Sequence, residues 1–463
     1  MNLPFKVDGA AGASEPDTGA MAPATLGLWA CTALVVGNVI GSGFYLSPAA
    51  LAPYGAAALV GWLAMAAAAM CLGLVFARLS RIAPASGGPY AFSRMAFGPF
   101  AGFLVAWAYW ISIWASLPAI AMAFSGYLAV FFPALKSGSA GFTATALAAM
   151  WLVAVVNLRG VKDAGRFQIV TVTLKLVPFI AIALVGLLWV EPVNLTPANP
   201  SELSVLGLVS ATAPLTMFAF LGIESATVPA GHVVNPRRTI PLATVLGTIL
   251  CAAVFILGTL VVMGTVPRAA LAASAAPFSD AATAMWGPWA GKVVAGAVVL
   301  SSLGALNGWT LLMSQVPLAA ASDGLFPRLF GRLNAKDAPQ NAILISMVLA
   351  SALLVLQTSG VSGLMTIYKF AVDLSTSAAM VPYVFCSLVE GALFVSLART
   401  AGPEWAGLRL GPYRPAAVIA FCFSMWTIYG GGPRAGLWCL LLLLFGLPFY
   451  LAQRGGRETG MRA

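Results

Sequence analysis

A chain of 463 residues that is 60% hydrophobic and only 8% charged lies far outside the range of soluble globular proteins. Its apolar runs exceed 18 residues, which points to a polytopic all-α membrane protein and excludes a β-barrel, whose segments are short and alternating. One histidine, His232, and six cysteines without a CxxC pair leave no metal-ligand set, and no HExxH or GxSxG pattern supplies an enzyme site, so neither metal nor cofactor is implied.

In chain order, residues 1–22 carry Asp8, Glu15 and Asp17 without the apolar run of a signal peptide and read as a disordered cytoplasmic tail. Twelve apolar segments follow, at about 23–47, 55–77, 98–132, 142–158, 167–190, 205–230, 240–264, 288–318, 341–358, 364–389, 413–431 and 435–452. They divide into a first unit of five spans (23–190), a second of five (204–397), two final spans (413–452) and a cytoplasmic tail (453–463). With both termini in the cytoplasm, eighteen Lys and Arg residues fall inside and four outside, and a shift by one span spoils that bias. The net charge of +10 is therefore a topology signal spread over separate segments, and no nucleic-acid partner is expected.

Two spans are interrupted. The first holds Gly41-Ser42-Gly43 at mid-depth, and the sixth, "FLGIESATVPAG", holds Gly222, Pro229 and Gly231. Small residues also serve close helix packing in membranes, so one such cluster decides little. Two in corresponding positions of two halves point to a transporter's binding site, because unwound backbone at mid-membrane must meet a ligand, an ion or cavity water. The half-helix restarting near Gly43 offers free N–H groups and a positive dipole end to a carboxylate. The loops with Arg94 in "GPYAFSRMAFGPFAGFL" and Arg237-Arg238 in "NPRRTIP" are placed as an inner-side gate would be.

The stretches "GNVIGSGFYLSPA", "SGGPYAFSRMAFGP", "FLGIESA" with "NPRRTIPLAT", "APFSDAA" and "LGALNGWTLLMSQ" with "ASDGLFPRLF" resemble the amino acid–polyamine–organocation superfamily. The branch they most resemble is that of the basic amino acid and polyamine antiporters, the arginine/agmatine and putrescine/ornithine exchangers among them. The resemblance runs collinearly from about 28 to 390. It implies a five-plus-five inverted repeat with broken helices 1 and 6 and two extra helices, often as a homodimer in the bacterial inner membrane. The implied activity is exchange of an amino acid for a related amine by alternating access.

Residue by residue, the resemblance implies that Ser42 and Gly43 hold the substrate carboxylate, with Gly41 and Asn38 lining the same break. It places Ile223 in the unwound part of the sixth span, whose carbonyls take the amino group, and Glu224 just beyond it as a group tied to conformational change. Trp309 matches a ring that stacks on the substrate's cationic end, Tyr109 a gate tyrosine, and Ser375 and Tyr383 polar positions near the pocket. Three departures stand out: Phe218 replaces a second tryptophan, and Leu117 and Ile120 replace polar or softer residues. These make the pocket more apolar and leave open a second function, proton-coupled movement or export of a neutral amino acid.

Lys175 lies nine residues beyond Arg166, about 13 Å along the helix axis and close to mid-bilayer. A lysine at that depth either pairs with an acid or sheds its proton, and the resemblance implies that it occupies the cation site of sodium-dependent relatives, which favours protons over sodium as a coupling ion. Lys369 and Asp373, four apart on one helix face, can pair, and Asp373 is a further coupling candidate. Glu390 reads as interfacial. The expected partners are a small amino acid or amine, protons, membrane lipids and a second copy of the chain.

Overall fold

The computed structural model describes residues 26–82, 88–135, 139–159, 177–227, 233–358, 364–400 and 413–460. Lys175, Arg166 and His232 lie outside the described residues. The described regular structure is helical, with one isolated bridge between Leu26 and Val233. Eight of the described helices are long and apolar enough to cross a membrane, and shorter apolar helices lie at Leu28–Val39, Val177–Trp189, Gln340–Leu356 and Pro415–Gly430.

The helices that position the site are α1 (Leu28–Val39), α2 (Ser42–Tyr45), α3 (Ala58–Ile82), α4 (Pro89–Phe97), α5 (Pro99–Leu128) and α6 (Ala140–Leu158). After them come α7 (Val177–Trp189), α8 (Val205–Ala219), α9 (Pro236–Thr265), α10 (Pro277–Trp286), α11 (Pro288–Ser322), α12 (Gln340–Thr358), α13 (Leu364–Thr400), α14 (Tyr413–Gly430) and α15 (Gly432–Gly460). Helix α5 runs through the middle, packed on α4, α6, α11, α12 and α13, and is buried nearly throughout its apolar window. Helix α15 stands at the periphery, with Leu437, Trp438, Leu440, Leu444 and Phe445 exposed.

Local chemistry explains the boundaries. Ser139 and Ser204 cap α6 and α8, each side-chain oxygen accepting from the N–H of the third residue on, at 3.1 and 3.2 Å. Thr212, Thr216 and Thr248 donate to the carbonyl four residues back, so their hydroxyls stay satisfied inside an apolar bundle. A pattern missed in the sequence recurs twice. The short helix α4 meets the long α5 at Gly98-Pro99, and the short α10 meets the long α11 at Gly287-Pro288. Gly98 has φ 84° and ψ −174° and Gly287 φ 92° and ψ 174°, a left-handed joint open to glycine, and the following proline starts the helix without needing a hydrogen bond.

Candidate functional site at the two helix breaks

Helix α1 stops at Val39, Gly41 continues as extended backbone, and α2 restarts the chain at Ser42. Helix α8 stops at Ala219, and after Phe220, Leu221 and Gly222 the chain resumes as a tight turn over Ile223–Thr227. The interruptions abut. A Cβ on Gly43 would stand 2.7 Å from the Ala219 Cα, and one on Gly222 would stand 3.4 Å from the Asn38 Cβ. Glycine at position 43 thus lets the two opened backbones approach to a distance a side chain forbids, while the Gly222 contact is of ordinary length.

Between them lies a small cavity. Asn38, Gly41 and Gly43 line it from the first break, Phe218 from the second, Ile120 from α5, Trp309 from α11 and Ser375 from α13. Val39, Leu221, Ser112 and Ser116 also line it, and sequence reasoning passed over them. The two serines had a signal, since four-residue spacing puts both on one face of α5. Ser375 donates to the Ser112 carbonyl at 2.7 Å and ties α13 to α5 beside the cavity.

Ser42 opens α2, and its side chain lies outside what the structure describes. Other expected residues fall away from the cavity. Leu117 and Ile223 are fully buried and do not line the cavity, so of the apolar replacements in α5 only Ile120 reaches it. Tyr109 and Tyr383 stand around Glu224, which is 1% exposed. Tyr109 donates to Glu224 Oε1 at 2.6 Å and Tyr383 to Oε2 at 2.7 Å, so each carboxylate oxygen holds one phenol. Three helical segments meet in that clamp, from α5, α13 and the second break. Asp373 is not with Glu224. It lines a separate cavity with Lys369, whose ammonium donates to the Tyr54 hydroxyl at 3.2 Å and sits over its ring, so the spacing that allowed a Lys369–Asp373 ion pair does not produce one.

Two charged contacts tie down the end of the bundle nearer α4. Arg94 pairs with Asp323, which also accepts from the Tyr90 hydroxyl at 2.5 Å. The hydrogen bond to Asp323 holds the Arg94 guanidinium above its ordinary value, ahead of the opposing effect of burial. Arg78 meets Glu390 at 2.9 Å with both side chains nearly inaccessible, so Glu390 is buried rather than interfacial. Helix packing around α3 and α13 encloses it. At the opposite end, Tyr127 donates to the Tyr45 carbonyl at 3.0 Å and accepts from the Phe278 N–H at 3.2 Å, linking α5 to α2 and α10.

A family model described as amino acid permease matches residues 26–450, nearly the whole described chain. The chain belongs to the amino acid permease family. As a permease it is a multi-pass membrane transporter and not an enzyme, on the branch of basic amino acid and polyamine antiporters. It is 36% identical to the cadaverine/lysine antiporter of Escherichia coli (strain K12) over 335 residues, 72% of this chain and 75% of that one. It is 28% identical to the putrescine transporter PotE of the same strain over 426 residues, 92% and 95% of the two chains. The PotE of Haemophilus influenzae is 30% identical over 437 residues, 92% of this chain and 96% of that one.

Proposed function

We propose that this permease is a secondary active antiporter that exchanges an amino acid for a related amine through the cavity at the two helix breaks. The observation that carries the reading is the pair of abutting breaks around one cavity, with Trp309 and Phe218 on its wall and Glu224 clamped beside it. Relatives named for cadaverine and lysine and for putrescine support a basic amino acid and its diamine as the exchanged pair.

In this reading the backbone at Gly41–Gly43 takes the α-carboxylate, carbonyls near Ile223 take the amino group, and the cationic end lies over Trp309 and Phe218. Release of Tyr109 and Tyr383 from Glu224 frees α5, α13 and the second break to move on the inner side, after which the contact between Arg94 and Asp323 opens. Tyr127, holding α2 and α10, is the counterpart on the outer side. A diamine and a basic amino acid of similar length bind the same wall in turn, which couples the two fluxes.

The same reading has twelve spans, both termini in the cytoplasm of a bacterium and two inverted five-helix units, 23–190 and 204–397. The repeated Gly-Pro joints before α5 and α11 support that symmetry, since they fall at equivalent places in the two units. The exposed apolar face of α15 suits lipid or a second copy of the chain.

The test is initial uptake of labelled lysine, cadaverine, ornithine, putrescine and neutral amino acids into proteoliposomes, with and without internal substrate and a pH gradient. Uptake that needs internal lysine or cadaverine supports exchange. Equal uptake into empty vesicles, driven by the pH gradient, contradicts it.

A further inference from the structure

A second cavity, of about 460 Å³, opens at the end of the bundle opposite Arg94 and Asp323, between the end of the first span, the start of α13 and the turn from α14 to α15. That volume lies within the range of small-molecule sites and leaves ample room for an amino acid. Its wall is apolar except for Tyr54, Thr366, Lys369, Asp373 and Arg434. Among the described residues none of the three charged groups forms an ion pair within 4 Å. The Lys369 ammonium is held by Tyr54, and the Arg434 guanidinium packs over the Phe370 ring at 4.9 Å, so both charges are kept in place by aromatic groups, with Asp373 one turn from Lys369 as the carboxylate of the same cavity. Asp373 lies one helical turn from Lys369 and only two residues before Ser375, which lines the central cavity.

We propose that this vestibule is an outer binding site for a zwitterionic amino acid, taking its α-carboxylate on Lys369 and Arg434 and its α-ammonium on Asp373. It favours the amino acid over the decarboxylated amine. A zwitterion meets both signs of charge in the cavity with its own, whereas a diamine brings no carboxylate and faces two fixed cations with only Asp373 to offset them. The substrate then moves about one turn along α13 to reach Ser375 and the breaks. The inference rests on the exchange reading above and adds to it a direction: the outer mouth presents amino acid, and not amine, to the central cavity.

The test is initial exchange in proteoliposomes of defined orientation, with lysine or cadaverine on the outer face and the other on the inner face, for the wild type and for Asp373→Asn, Lys369→Met and Arg434→Met. Asp373→Asn should raise the outer KM for lysine about tenfold with the inner KM unchanged, the loss of one charge-assisted contact. Arg434→Met and Lys369→Met should raise the outer KM for lysine and lower that for cadaverine, shrinking the preference between them about tenfold. Arg434 is exposed, so its variant keeps the test standing if the substitutions in α13 impair folding. Unchanged outer preference in an exchanging Arg434→Met protein overturns the proposal. If the wild type exchanges neither compound, the exchange reading falls and the vestibule is tested by equilibrium binding of lysine to the purified protein. Loss of one of two bound equivalents in Arg434→Met then supports the outer site, and a single equivalent in both proteins overturns it.

Discussion

At the first break Gly41 lies at φ −144° and ψ −153°, extended backbone that any residue adopts, whereas at the second Gly222 lies at φ 102°, a region that side chains disfavour. Gly41 borders the cavity, and a Cβ there would meet only Ala305 Cβ at 3.7 Å and the Asn38 carbonyl at 3.9 Å. Gly222 instead turns the chain so that Glu224, two residues on, reaches the tyrosines of α5 and α13. The same interruption of a helix therefore does different work at the two places. The first leaves room and open backbone for a ligand, and the second sets the position of a closing clamp. Gly43 belongs to neither category alone, because it lines the cavity and also presses on Ala219.

The largest effect that sharpens this contrast should come from Gly43→Val. Its Cβ would stand 2.7 and 2.9 Å from the backbone of Ala219, which cannot swing aside as a side chain does. Little folded protein should be recovered by size-exclusion chromatography in detergent; a well-folded variant would show that the breaks are not in contact. Glu224→Gln comes next. It keeps the shape but removes the charge and turns one acceptor oxygen into an NH2 donor, so only one phenol can still donate to it, and exchange should slow by roughly ten- to a hundredfold while lysine still binds. Lost binding with an unchanged exchange rate per bound substrate would place Glu224 in the ligand site instead of the clamp. Gly222→Ala should cost about 1–2 kcal/mol of stability through the left-handed backbone alone, read as a lowered thermal midpoint. No change in midpoint would mean that the second break tolerates an ordinary turn.

Helix placement was legible in the sequence because long apolar runs with few charges have one solution in a bilayer. The segments expected at 98–132, 142–158 and 288–318 match Pro99–Leu128, Ala140–Leu158 and Pro288–Ser322 closely. Both breaks were legible for the same reason, since glycine at mid-span conflicts with everything around it. Partners across the fold were not. Nothing local links Tyr109 and Tyr383 to Glu224, more than a hundred residues away, or Arg78 to Glu390, because such contacts depend on which helix faces are turned to each other. The spacing of Lys369 and Asp373 was misleading in the opposite sense. It permits a pair, but Tyr54 arrives from a distant segment and takes the ammonium.

The most direct test of the account is equilibrium binding of labelled lysine to Gly41→Ala. The added methyl group fits the fold at ordinary contact distances while intruding on the cavity where the carboxylate is held. The Gly41→Ala protein should have a thermal midpoint like that of the wild type and an affinity for lysine at least about tenfold weaker, the loss of one charge-assisted hydrogen bond. Wild-type affinity in a folded Gly41→Ala protein would contradict the claim that the first break is where the substrate binds.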